Sequence, residues 1–148
     1  MSFGADVILD LSTLEPGQRL FSRSMAVSAD AAASFREAVG DDGAAAAGDH
    51  AVPPMAVAAM VMGAAMEAVE LPAGAVHTAQ ELEFGRPVEE GVMLACSATV
   101  VSNSVRRGTR FIVLEMRGDD GAETALRARA TIAIAQTPIA HAQDGAPE

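Results

Sequence analysis

The sequence predicts an α+β domain in which an antiparallel sheet curls round one long buried helix. Three observations carry this expectation. The sixteen residues from Ala51 to Met66 include no charged side chain. From Val76 onward apolar and polar residues alternate, with turn signals between the runs. The chain of 148 residues is 50% hydrophobic and 20% charged, which suffices for one core without metals or disulfides. A helix that is apolar on every face needs wrapping, and the strands that follow it supply the sheet.

Taken in order, residues 1–13 read as an N-terminal extension. They carry no basic segment and include Asp6 and Asp10, unlike a secretory signal, so a cytoplasmic protein is expected. The domain proper is expected over 14–136. Leu14 to Gln18 makes a turn into a strand from Arg19 to Val27. Ser28 is a good N-cap for a helix over Ala29 to Val39, which is rich in strong helix formers, and Gly40 is placed to end it. Asp41-Asp42-Gly43 signals a turn. Pro53 and Pro54 open the long helix, because the first-turn N–H groups lack intrahelical partners anyway, and it continues through Met55 to Val69. Its apolar run falls short of the ~20 residues that a membrane span needs, so no membrane partner is expected. Leu71-Pro72-Ala73-Gly74 ends it. The strands Val76 to Phe84, Val92 to Val105, Thr109 to Arg117 and Glu123 to Ala135 then follow as a meander, with turns at Glu89-Glu90-Gly91, Arg106-Arg107-Gly108 and Gly118-Asp119-Asp120-Gly121. Residues 137–148 read as a loose tail.

Composition excludes several functions. Twenty acidic residues oppose ten basic ones, all arginine, for a net charge of −10; a phosphate-backbone binder needs the opposite surplus, so no nucleic-acid partner is expected. Five Phe, no Trp and no Tyr leave the core to small aliphatic residues and eight Met. The single Cys96 sits in an apolar run and reads as a buried inert thiol in a reducing compartment. His77 and His141 lack neighbours at ligand spacing, so neither a metal nor a cofactor is expected.

Several stretches carry a family resemblance. LEPGQRLFSRSMAVSADAAASFREAVGDD, AVPPMAV, VHTAQELEFGRPVEEGVML and the strands to ATIAIAQ together resemble the MaoC-like hydratase/dehydratase family of hot-dog fold, most closely its N-terminal-type branch, in which an A-x-P-P segment opens the central helix. The most specific part is Gln80 to Val88, with its Arg86-Pro87 turn after a strand. The resemblance implies binding of acyl thioesters of coenzyme A or acyl carrier protein, and reversible addition of water to a trans-2-enoyl chain. It also implies a homodimer or a heterodimer with a related hot-dog subunit.

Hydration of that double bond needs a base for water, an acid for the α-carbon and a donor for the thioester oxygen. Active members of the family carry Gly-Asp-x-Asn-Pro-x-His after the short helix. Here the run is Gly40-Asp41-Asp42-Gly43-Ala44-Ala45-Ala46, so Asp41 matches the catalytic Asp while Ala46 stands at the His position. His50, nine residues beyond Asp41, is the candidate replacement, with Asp49 beside it to orient the ring; the plain alternative is an exposed loop histidine. Met55 and Ala56 offer N–H groups to a thioester carbonyl at the helix start. Arg86, Arg106, Arg107 and Arg110, at strand ends and turns, could meet phosphates of the carrier; turn arginines are also commonly just solvated. Two further readings stand beside the hydratase. One is a non-catalytic subunit that binds acyl thioesters or completes a partner's site, which Ala46 favours. The other is a thioesterase using Glu67, which requires that carboxylate to face the pocket.

Overall fold

The computed structural model describes residues 9–40 and 50–135. Within these, β1 (Leu9–Asp10) leads into a 3-10 turn (Leu11–Thr13), then β2 (Arg19–Met25), α1 (Ala29–Val39), α2 (Pro54–Glu67), β3 (Val69–Glu70), β4 (Val76–Phe84), β5 (Leu94–Arg106), β6 (Thr109–Asp120) and β7 (Glu123–Ala135). The α+β expectation stands: β2, β5, β6, β7 and β4, in that order, form an open antiparallel sheet packed on α2.

The helices begin and end where side-chain chemistry dictates. Ser28 Oγ accepts the Ala31 N–H at 3.0 Å, and Gly40 closes α1 at φ 76°, in the left-handed region that a Cβ disfavours. α2 starts at Pro54 with Pro53 as a cap that supplies no side-chain hydrogen bond. It ends at Glu67, two residues earlier than the sequence suggests, because Val69–Glu70 instead pairs in parallel with Leu9–Asp10.

That pairing draws part of the expected extension over 1–13 into the structure. Leu11 is fully buried, and Asn103 Nδ2 donates to Leu14 O at 2.6 Å, fastening the following segment to β5. The core lies between α2 and the inner face of the sheet. Small residues on α2, including Ala56, Ala58, Ala64 and Ala65, let the helix approach Leu94, Cys96, Ala98 and Val100 of β5, Ile112, Leu114 and Met116 of β6, and Leu126 to Ile134 of β7. α2 is nevertheless not enclosed on every face. Met55 and Ala59 are exposed, and Met62 and Met66 are half-buried.

Four strand ends differ from expectation, two of them in β5, which spans Leu94–Arg106 where Val92 to Val105 was expected. β2 stops at Met25, and β6 runs on through Gly118 to Asp120, so the last hairpin turn is only Gly121-Ala122; a register shift between Gly118 and Asp119 lets the strand continue. No helix among the described residues is long and apolar enough to cross a membrane.

Candidate functional site

The segment entering α2 is stitched to the turn before β5. Val52 N–H donates to Val88 O at 2.7 Å and Glu90 N–H to His50 O at 3.0 Å, while Ala51 and Glu89 form an antiparallel bridge. This fixes the backbone of His50 and leaves its side chain 80% exposed.

Arg36 reaches this junction from the last turn of α1. Ala32 and Arg36, four residues apart, are the buried residues of that helix, so an arginine occupies its inner face. Nη2 donates to Ala51 O, and Nη1 lies 3.4 Å from Glu90 Oε2. Arg36 is only 6% exposed, and its buried Nε has no partner. The other oxygen of Glu90, Oε1, lies 3.8 Å from His50 Nδ1. Among the described residues, the carboxylate that faces His50 is therefore Glu90. Asp41 and Asp49 lie outside the described residues. Neither Arg36 nor Glu90 stood out in the sequence, where one read as an ordinary helix residue and the other as part of a turn. The available signal was the Ala32–Arg36 spacing, which puts a cation on the face that helix packing must bury.

One residue beyond His50 the chain enters an apolar cleft of about 150 Å³ between the start of α2 and the chain leaving β4, lined by Ala51, Val52, Pro54, Val57, Phe84 to Val88 and Ala125. Its outer wall depends on Gly85. There Gly85 N–H donates to Ala125 O at 2.9 Å and Arg86 N–H to Thr124 O at 3.0 Å, so the backbone runs against β7; a Cβ on Gly85 would drive into the Thr124 carbonyl oxygen.

The helix start offers fewer donors than the sequence suggests. Ala56 N–H donates to Pro53 O at 2.8 Å and is not available to a thioester carbonyl, whereas Met55 stands half exposed at the mouth of α2.

The four candidate arginines do not converge. Arg86 lines the cleft, and Glu123 (2.7 Å) and Asp120 (3.3 Å) hold its guanidinium; the Glu123 hydrogen bond first, then the charges of both carboxylates, raise its pKa above the ordinary value. Arg106, Arg107 and Arg110 lie at the opposite end of the sheet, about 35 Å away measured along β7 from Thr124 to Ala135. Arg106 sits over the Phe111 ring at 5.4 Å, Arg107 forms the tight turn with φ 53°, and Arg110 Nη1 donates to Asn103 Oδ1 at 2.7 Å. Glu67, at the far end of α2, has a side chain 79% exposed and 4.0 Å from Arg23; it faces solvent and not the cleft, contrary to what the thioesterase reading requires. Cys96 is buried with Sγ 3.6 Å from Leu94 O, and burial, followed by the charge of Asp119, pushes its thiol up to about 11 against the partial opposition of Arg23.

No protein-family model matches the chain, and no curated protein does. Solved structures do. The monoamine oxidase regulatory protein of Archaeoglobus fulgidus superposes with a TM-score of 0.70 at 16% identity, covering 89% of this chain and 99% of that one. A MaoC-like dehydratase of Rhodospirillum rubrum gives 0.66 at 21% identity, covering 87% and 98%. A chain of the C-terminally truncated HadBC (3R-hydroxyacyl-ACP dehydratase) complex of Mycobacterium tuberculosis gives 0.62 at 22% identity, covering 84% and 100%. The fold is the hot-dog fold. It is the fold expected from the sequence resemblance, with α2 as the central helix of the hot-dog and β4 as one of its two sheet edges, β2 being the other. The β4 edge is exposed along most of its length, with Val76 and Phe84 among the exposed apolar residues.

Proposed function

We propose that the chain is an acyl-thioester hydratase or dehydratase with an altered active site, acting on enoyl or 3-hydroxyacyl groups carried by coenzyme A or acyl carrier protein. The observation that carries this reading is the placement of His50: an exposed imidazole facing a carboxylate, one residue before Ala51, which lines an apolar cleft at the start of the central helix. In the hydration direction, His50 and Asp41 share the two proton transfers. One takes a proton from water as its oxygen bonds to the β-carbon, and the other delivers a proton to the α-carbon. The N–H of Met55 at the helix mouth meets charge developing on the thioester oxygen, where the helix dipole also favours it. Of the four arginines, Arg86 lines the same cleft and is assigned the carrier's phosphate, which it would take in exchange for Glu123 and Asp120, while Arg106, Arg107 and Arg110 lie at the other end of the sheet. The resemblance in fold to a MaoC-like dehydratase and to a subunit of a 3R-hydroxyacyl-ACP dehydratase complex supports this substrate class.

A second reading has its own support. Ala46 stands where the family has histidine, and the β4 edge is open to a partner strand. On this reading the chain is a non-catalytic subunit that pairs with itself or with a related hot-dog protein and completes that partner's site. Loss of enoyl absorbance on a panel of trans-2-enoyl-CoA thioesters separates the two. Turnover abolished by His50→Ala and by Asp41→Asn supports the enzyme, and no turnover from a folded oligomer supports the partner subunit.

A further inference from the structure

We infer that Glu90, clamped by Arg36, is the positioning residue that sets the tautomer of His50. The three groups line up across the junction of α1, the α2 entry and the turn before β5, with a gap between the carboxylate and the ring. Arg36 holds one carboxylate oxygen at 3.4 Å, and the other oxygen lies 3.8 Å from His50 Nδ1. The two ends of this row are unlike. The guanidinium is buried, the Glu90 side chain is 19% exposed and the imidazole is open to solvent. The rigid partner is therefore the carboxylate, and the mobile one is the ring. A small rotation of the exposed ring closes the 3.8 Å gap to a hydrogen bond, the tightening expected when a substrate docks beside it. When Nδ1–H donates to Glu90, the ring's remaining proton site, Nε2, is left bare as an acceptor. The hydrogen bond made by one ring nitrogen decides the role of the other. Arg36 uses Nη2 on Ala51 O, one residue beyond His50, so the same side chain fixes both the carboxylate and the backbone that carries the ring.

The catalytic consequence rests on the hydratase reading; the tautomer does not. The test is two-bond ¹H–¹⁵N NMR of ¹⁵N-labelled protein at a pH where the ring is neutral, with His50 assigned from the signals lost in His50→Ala. The expected result is a ring protonated at Nδ1 in the wild-type protein and a shift toward the Nε2–H form both in Glu90→Gln and in Glu90→Asp, whose shorter side chain withdraws the carboxylate from a ring already 3.8 Å away. In turnover, Glu90→Gln lowers kcat by about tenfold or more with KM little changed, because it disturbs proton transfer and not binding. An identical tautomer distribution in wild type and Glu90→Gln overturns the inference and leaves Glu90 as a clasp between elements. A Glu90-dependent tautomer without turnover keeps the inference and removes the hydratase reading. His50-dependent turnover with an unchanged tautomer does the reverse.

Discussion

The two ends of the sheet both carry arginine, and they use it in opposite ways. At the α2 entry, Arg36 is buried with its charge answered by Glu90 and a main-chain carbonyl. At the β5–β6 hairpin, Arg106 and Arg107 lie at the chain's turn, and among the described residues neither faces a carboxylate. A cation taken out of water must be matched locally, so the buried end acquires a fixed geometry; a cation left in water needs no partner and fixes nothing. The lesson is that burial, more than residue type, separates a built site from a solvated turn.

The difference can be broken from either end. Arg36→Ala removes the cation of the buried pair and leaves the largely buried Glu90 carboxylate without its guanidinium; urea unfolding is expected to show a loss of about 3 kcal/mol. Between the ends lies the dry interior, probed by Cys96. The thiol's ordinary value of 9.0 applies to the unfolded chain and about 11 to the folded one. Below pH 9 both states hold the proton and stability is intact; from 9 to 11 only the unfolded state releases it, so stability falls, by roughly 2–3 kcal/mol. With no Lys and no Tyr in the chain, that alkaline loss belongs to the thiol, and Cys96→Val should abolish it in thermal melts taken across this range. At the hairpin the sign reverses. Arg107 holds φ at 53°, so Arg107→Gly is expected to raise the urea midpoint, stabilising by up to about 1 kcal/mol.

Much of the fold was legible because it is written in local chemistry. Ser28 and Gly40 bound α1 as expected, Pro53-Pro54 open α2, and the alternation from Val76 marks β4. The departures all come from tertiary pairing. Val69–Glu70 leaves the helix to pair with a strand sixty residues earlier, and Gly118 stays in β6 because β7 continues beside it. The site was legible only in part. His50 could be named from its position before the helix, but its carboxylate lies forty residues further along the chain and its clamp fourteen residues before it. No spacing rule links three residues that meet only through the bridge of Ala51 to Glu89. Local signals cannot distinguish Arg86, held by carboxylates across a hairpin, from Arg107 in a turn of its own.

The close approach at Gly85 bears on how this cleft can change over evolutionary time. Where the backbone lies against Thr124, the outer wall has no side chain to vary and no room to gain one. Mutation must remodel the cavity at the side chains around that point, such as Val57 on the helix and Phe84 and Val88 opposite, where trimming to alanine adds space and a bulkier residue closes it. Change in the volume of the cleft is thus channelled through its side chains, while the backbone at Gly85 stays fixed by the sheet.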